Sequence, residues 1–149
     1  MTPATQPEPI VALLANRWEQ ISRKLADLAD EVPAEKFEST LVPGARTVGE
    51  VLRHVAFWNQ YVADSLQGKA ANDTANELPL SEYPKKAAIL KALRRTADDV
   101  DKALKSSKSL SGPKTAELVM PFVEHTAEHY GQLVAYCRLM GIVPPASRT

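Results

Sequence analysis

The chain has 149 residues, 44% of them hydrophobic, and its 18 Lys and Arg balance 18 Asp and Glu, with three His besides. That length sets one domain, spanning residues 1–149, and a chain of this size buries roughly 68–70% of its unfolded surface without metal or disulfide staples. Zero net charge excludes the unpaired cation excess that nucleic-acid binders use, since Lys85-Lys86 and Arg94-Arg95 are answered by Asp98, Asp99 and Asp101.

Residues 1–9 hold three prolines and neither a basic nor an apolar block, so they read as a loosely ordered N-terminal segment with no leader. No apolar run in the chain approaches the ~18 residues of a membrane span, and the expectation is a cytoplasmic protein without a membrane partner. The eleven prolines fall in five places, and the four gaps between them are candidate helices, because proline interrupts helix interiors.

In the first gap, Ile10, Leu13, Leu14, Trp18, Ile21, Leu25 and Leu28 recur at three- and four-residue steps and predict one apolar helical face. A long connection follows from Val32 to Arg46, with a short turn expected around Glu35 to Glu38. The second helix is announced by Thr47-Val48-Gly49-Glu50, the Ser/Thr-x-x-Glu form in which two side chains satisfy each other's orphan backbone N–H groups. Its stripe is Val48, Val51, Leu52, Val55, Asn59, Val62 and Leu66, and Gly68 is its stop.

A second long connection runs from Gly68 to Leu80. The third helix carries the thin stripe Ile89, Leu93, Thr96, Val100 and Leu104 and is expected to be the most exposed; it ends in the polar stretch Ser106 to Gly112. The fourth runs through Leu118, Phe122, His125, His129, Leu133, Tyr136 and Met140 to Gly141, and Pro121 either opens it or kinks it. Cys137, the lone cysteine, allows neither an internal disulfide nor a Cys-x-x-Cys site and fits a reducing compartment. No segment alternates with period two, so the chain reads as an all-α four-helix bundle whose long connections leave the helix order open.

All three histidines fall on inward faces: His54 with Val51, Val55, Trp58 and Val62, and His125 with His129. Residues four apart on a helix present side chains about 5–6 Å apart at Cβ, which lets two imidazoles reach one metal ion. Two readings stand: packed core histidines bonded to carbonyls, or a three-imidazole metal site with open positions for water or substrate. The absence of any other His favours the metal. His125-Thr126-Ala127-Glu128-His129 also has the H-x-x-E-H form of a protease motif, but no Asp or Glu follows His129 to serve as its later ligand. Glu128 then reads as a solvated surface or dimer-contact residue.

Three segments, Thr47 through Ala56, His125 through Leu133 and Gly141-Ile142-Val143-Pro144-Pro145, resemble the DinB/YfiT-like superfamily. The first is similar to its "S/T-x-x-x-x-L-x-H-x-x" helix, the second to "H-x-x-x-H-x-G-Q-L", and the third to its "G-x-x-P-P" ending. The resemblance implies a small helical bundle with His54, His125 and His129 as metal ligands, and a homodimer. Tyr130 departs from the pattern, in which Arg or His is common. Gly131 suggests close approach of another backbone, and Gln132 is placed to hydrogen-bond near the site or across the bundle.

Relatives include transferases and isomerases that use a low-molecular-weight thiol, so the resemblance implies a metal-dependent thiol S-transferase or a hydrolase acting on a small-molecule substrate. Zinc, nickel and iron all suit imidazole. Glu50, Glu124 and Glu128 are the candidate general bases, Trp58 and Tyr61 read equally as pocket lining or as core packing, and Phe57, Tyr130 and Val134 are the apolar residues left over for a dimer interface. The competing function is a non-catalytic helical interaction module; a DNA-binding role has no basic patch to support it.

Overall fold

The computed structural model describes residues 8–106 and 110–149, so most of the N-terminal segment and part of the stretch after the third helix lie outside the described residues. Helix α1 (Pro9–Asp30) opens on proline, whose missing N–H has no partner to lose there. It buries Leu14, Trp18, Leu25 and Leu28, whereas Ile10 and Leu13 are 40% and 60% exposed. Neighbours on a helix point about 100° apart, and the inward direction here belongs to Leu14.

The connection to α2 contains a 3₁₀ turn at Ala34–Lys36. Helix α2 (Val48–Leu66) starts in a capping box: Thr47 Oγ1 accepts the Glu50 N–H at 3.1 Å, and Glu50 Oε2 accepts the Thr47 N–H at 2.7 Å. Every residue of its expected stripe is buried. Gly68, with φ of +69°, takes the left-handed turn just beyond its end.

Helix α3 (Lys86–Ser106) buries Ile89, Leu93, Thr96, Val100 and Leu104 as expected. It is not the most exposed helix: Leu90, Ala92 and Ala103 widen its packed face, so eight of its 21 residues are buried against seven of 22 in α1. Helix α4 (Gly112–Leu139) begins at the Ser111 cap and runs through Pro121, which forgoes one backbone bond inside a continuous helix rather than starting it. Its buried face is Thr115, Ala116, Val119, Thr126, Leu133, Tyr136 and Cys137. The line Leu118, Phe122, His125 and His129 is therefore a half-buried edge of that face, not its centre.

The four helices form an all-α bundle, with no strand among the described residues. Helix α1 packs on α3 and α4, and α2 packs on the same two, which puts α1 and α2 on opposite corners. Lys86 Nζ reaches the Asp30 carbonyl and Trp18 Nε1 the Ala97 carbonyl, so α1 and α3 are antiparallel. Asn59 bonds Thr96, and Arg53 bonds the Tyr83 carbonyl, so α2 and α3 run parallel. Two consecutive parallel helices require the connection between them to travel back along their length. That requirement explains why residues 67–85 make so long a link. No described helix is long and apolar enough to cross a membrane.

Two packed clusters fill the interior. One gathers Leu28, Val32, Phe37, Val51, Leu52 and Leu133; the other gathers Trp18, Val62, Leu66, Val100 and Val119.

Candidate metal centre

His54 on α2 and His125 and His129 on α4 converge, with ring centroids 4.9, 5.0 and 4.6 Å apart. One ligand-capable atom from each lies within 4.8 Å of the others, an arrangement that can hold a metal ion. It is also the sole such group of three or more His, Cys, Asp or Glu among the described residues. Helix periodicity supplies the α4 pair, and the antiparallel approach of α2 supplies the third ring.

The hydrogen bonds fix which nitrogens face inward. The Tyr136 hydroxyl donates to the Arg46 carbonyl at 2.7 Å, so it accepts from Gln132 Nε2 at 3.0 Å. That sets the Gln132 amide with Oε1 toward His129 Nδ1 at 2.9 Å, and a carbonyl oxygen only accepts. His129 therefore carries its proton on Nδ1 and leaves a lone pair on Nε2. The same logic applies to His54, whose Nδ1 lies 2.6 Å from the Asn76 carbonyl. His125 Nε2 then donates to His54 Nε2 at 2.9 Å, so one proton sits between the two nitrogens. A metal ion would replace it. Three Nε2 atoms around a tetrahedral zinc are about 3.3 Å apart, given Zn–N bonds of ~2.0–2.1 Å, so the donor set fits with small side-chain shifts. Carbonyl partners on the outer nitrogens are the usual support of ligating histidines.

Burial favours the neutral form of His125 and His54. His125 is pushed down to about 4 by burial, with the neighbouring His129 and His54 and the Arg46 charge adding to the effect. His54 is lowered too, again mainly by burial, against the opposing bond to Asn76. Neutral imidazoles are the form that ligates.

Asn76 is the one described non-glycine residue with positive φ, at 63°, a conformation that Asn tolerates better than most. Its carbonyl holds His54, and its Oδ1 accepts from Trp58 Nε1 at 2.9 Å. The segment around it is clamped by Arg53. This guanidinium, 2% exposed, donates to Glu38 at 2.6 and 3.1 Å and to the Tyr83 carbonyl at 3.3 Å, and its Nε stands 3.8 Å from Glu77. The Arg53 carbonyl also accepts the Leu78 N–H at 3.3 Å. Burial of Arg53 acts against its charge, and Glu38, with Glu77 and Glu50, more than restores it.

Of the other sequence candidates, Trp58 stands beside the triad with Tyr61 packed behind it, and Gln132 bonds the ligand-capable His129. Gly131 meets no neighbouring backbone: a Cβ there would point into open space. Phe57 is buried within the chain, because the returning connection covers it, so it is not left over for an interface. Tyr130 and Val134 are half-buried against the core, and Lys24 lies over the Tyr130 ring at 4.6 Å. Glu50 is engaged in the capping box, while Glu124 and Glu128 are exposed. A groove of about 320 Å³ between α1 and α3 lies on other helices, and charges in it pair among themselves, as Arg23 with Glu19 and Lys105 with Asp101.

Asn76 and the Arg53–Glu38 pair were missed by sequence reasoning. Arg53 offered one signal, a charge within an otherwise apolar helical segment beside a histidine.

A four-helix bundle whose α2 and α4 bring three converging imidazoles together defines a helical protein able to hold a metal ion. The chain belongs to the DinB superfamily, whose family model matches residues 17–136. No curated protein matches the sequence.

Proposed function

We propose that this protein is a metal-dependent enzyme acting on a small molecule, with His54, His125 and His129 as the ligands of a divalent zinc, nickel or iron ion. The reading rests on one observation: the Gln132 and Asn76 carbonyls commit two of the three rings to the tautomer that aims Nε2 at a common point. A divalent ion so held lowers the pKa of a thiol or water and supplies a nucleophile near neutral pH, which suits a thiol S-transferase or a hydrolase. His54 and His129 are oriented by their outer hydrogen bonds, and Arg46, paired with Glu77 at 3.8 Å, adds a positive charge felt at His54 and His125. The thiol cosubstrate is a low-molecular-weight one in this reading.

The test is elemental analysis of untagged protein purified without chelator, followed by His125→Ala and His129→Ala. About one equivalent of metal in the wild type, lost in both variants with helical circular dichroism kept, is the expected result. Full occupancy in both variants would sink the triad.

Among the described residues no carboxylate hydrogen-bonds to the three rings, which favours a second reading, a non-catalytic helical module. Less than about a tenth of an equivalent of any transition metal would select it. We also infer a cytoplasmic homodimer without nucleic-acid partners, supported by exposed Leu13, Met120 and Leu139 on α1 and α4 and by the zero net charge. Light scattering at the 16.3 kDa protomer mass at all concentrations would exclude the dimer.

A further inference from the structure

We propose that the substrate of this centre carries a planar aryl group, which packs on a wall of Trp58, Tyr61 and Phe122 one helical turn from the histidines; the inference rests on the metal-centre reading above. Trp58 and Phe122 stack with centroids 5.7 Å apart and planes 26° from parallel. Tyr61 closes the group, 5.2 Å from Trp58 and 5.6 Å from Phe122. The wall abuts the triad directly: Trp58 lies 6.5 Å from His54, and Phe122 lies 6.2 Å from His125.

Its placement follows from the antiparallel helices. Trp58 comes one turn after His54 on α2, and Phe122 one turn before His125 on α4, so both fall at the same end of the triad. Gln132, Tyr136 and the Arg46 carbonyl, bonded in series, occupy the other end. The site is thus apolar on one side of the metal position and polar on the other.

These rings are only partly packed: Tyr61 and Phe122 touch the second core cluster without being buried in it. Trp18, Phe37, Tyr136 and Phe57, the buried aromatics, are 1%, 2%, 4% and 6% exposed, whereas Trp58, Tyr61 and Phe122 all remain half-buried. Leaving three rings partly exposed forgoes some apolar burial, and a ligand that covers them recovers it. The polar atom of Trp58 is already turned toward Asn76 Oδ1, so the indole offers carbon to a ligand. That same Asn76 holds His54, which fixes the wall relative to the ligand atoms before anything binds.

The two tryptophans make the test direct. Trp18→Phe leaves Trp58 as the single indole reporter. Zinc-loaded protein, its stoichiometry measured first, is titrated with benzyl mercaptan and with ethanethiol. Aromatic pairing and the added apolar area predict about a tenfold tighter binding of benzyl mercaptan, read as a change in Trp58 emission. Phe122→Leu, and Trp58→Leu followed by calorimetry, should each reduce the preference below about twofold at unchanged zinc content. Equal affinities for the two thiols with zinc bound, or a preference untouched in both variants, would overturn the proposal. Emission that shifts on dilution without any ligand would overturn it as well, because a second copy of the chain would then be covering the wall. Should zinc fail to bind, the metal reading falls by itself: benzyl mercaptan binding that still depends on Trp58 and Phe122 supports the wall, and no binding refutes it.

Discussion

Gly49 and Glu38 are coupled through Arg53, and the coupling has a measurable size. Gly49 is the second residue of α2, and a Cβ built there would overlap the Glu38 carboxylate and touch Arg53 Nη1. Removing the carboxylate in Glu38→Ala takes two charge-assisted hydrogen bonds from a guanidinium that is 2% exposed. Such bonds are worth about 1.5–3 kcal/mol each. Because the Glu38 side chain is itself 42% exposed, water replaces part of the loss, and the net cost is about 2–3 kcal/mol. For a chain of this length that lowers the melting temperature by roughly 4–12 °C.

Gly49→Ala should cost about 1–2 kcal/mol in the wild type, since it drives the Glu38 carboxylate off Arg53 by more than the helix gains from alanine. In the Glu38→Ala background the obstacle is gone, and the same substitution should be neutral or stabilising by about 0.5–1 kcal/mol, the usual advantage of Ala over Gly in a helix. Urea denaturation of the four proteins closes the cycle. A coupling energy near 2 kcal/mol is expected; additivity within about 0.5 kcal/mol would refute the reasoning.

Gln132→Leu removes the acceptor that fixes the His129 tautomer, and zinc affinity should drop about tenfold or more, measured by competition with a chromophoric chelator; an unchanged affinity would remove Gln132 from the centre. In chelator, the pH dependence of melting temperature should report the buried rings. His125, held to about 4, and His54, also lowered, take up protons less readily folded than unfolded, where the ordinary value is about 6.5. Their contribution is intact above about pH 6.5 and is lost as pH falls toward 4, and His125→Ala should flatten that slope; identical slopes in the variant would refute the assignment.

Most of the bundle was legible because helical burial is periodic and its boundaries are chemical. Thr47 and Glu50 announced α2, and every apolar position of its stripe is packed, since this helix faces two neighbours. The stripe of α1 failed at Leu13, where two adjacent leucines competed for one inward direction. That of α4 was displaced toward its half-buried edge because the histidines, drawn as core, line a site open to one side. The histidines themselves were readable because the chain has no others. Their partners were not: Asn76 lies 22 residues from His54 in a stretch with no periodicity, and nothing local marks its carbonyl as the one that orients the ring.

That failure follows from the topology. Because α2 and α3 are parallel, the chain between them returns along α2 and passes His54 and Arg53 on the way. Asn76 meets His54, Glu77 approaches Arg53, and Leu78 donates to the Arg53 carbonyl, three consecutive residues that meet one turn of the helix. Arg53 is pulled into the core by Glu38 from the other long connection, so one buried guanidinium ties both crossings to the segment that orients a ligand-capable histidine. The two connections that looked in the sequence like spacers between helices are therefore part of the centre. Changes within 76–83 should alter metal affinity even where they touch no histidine, whereas changes to exposed positions on the outer face of α3, such as Lys91 and Lys102, should not.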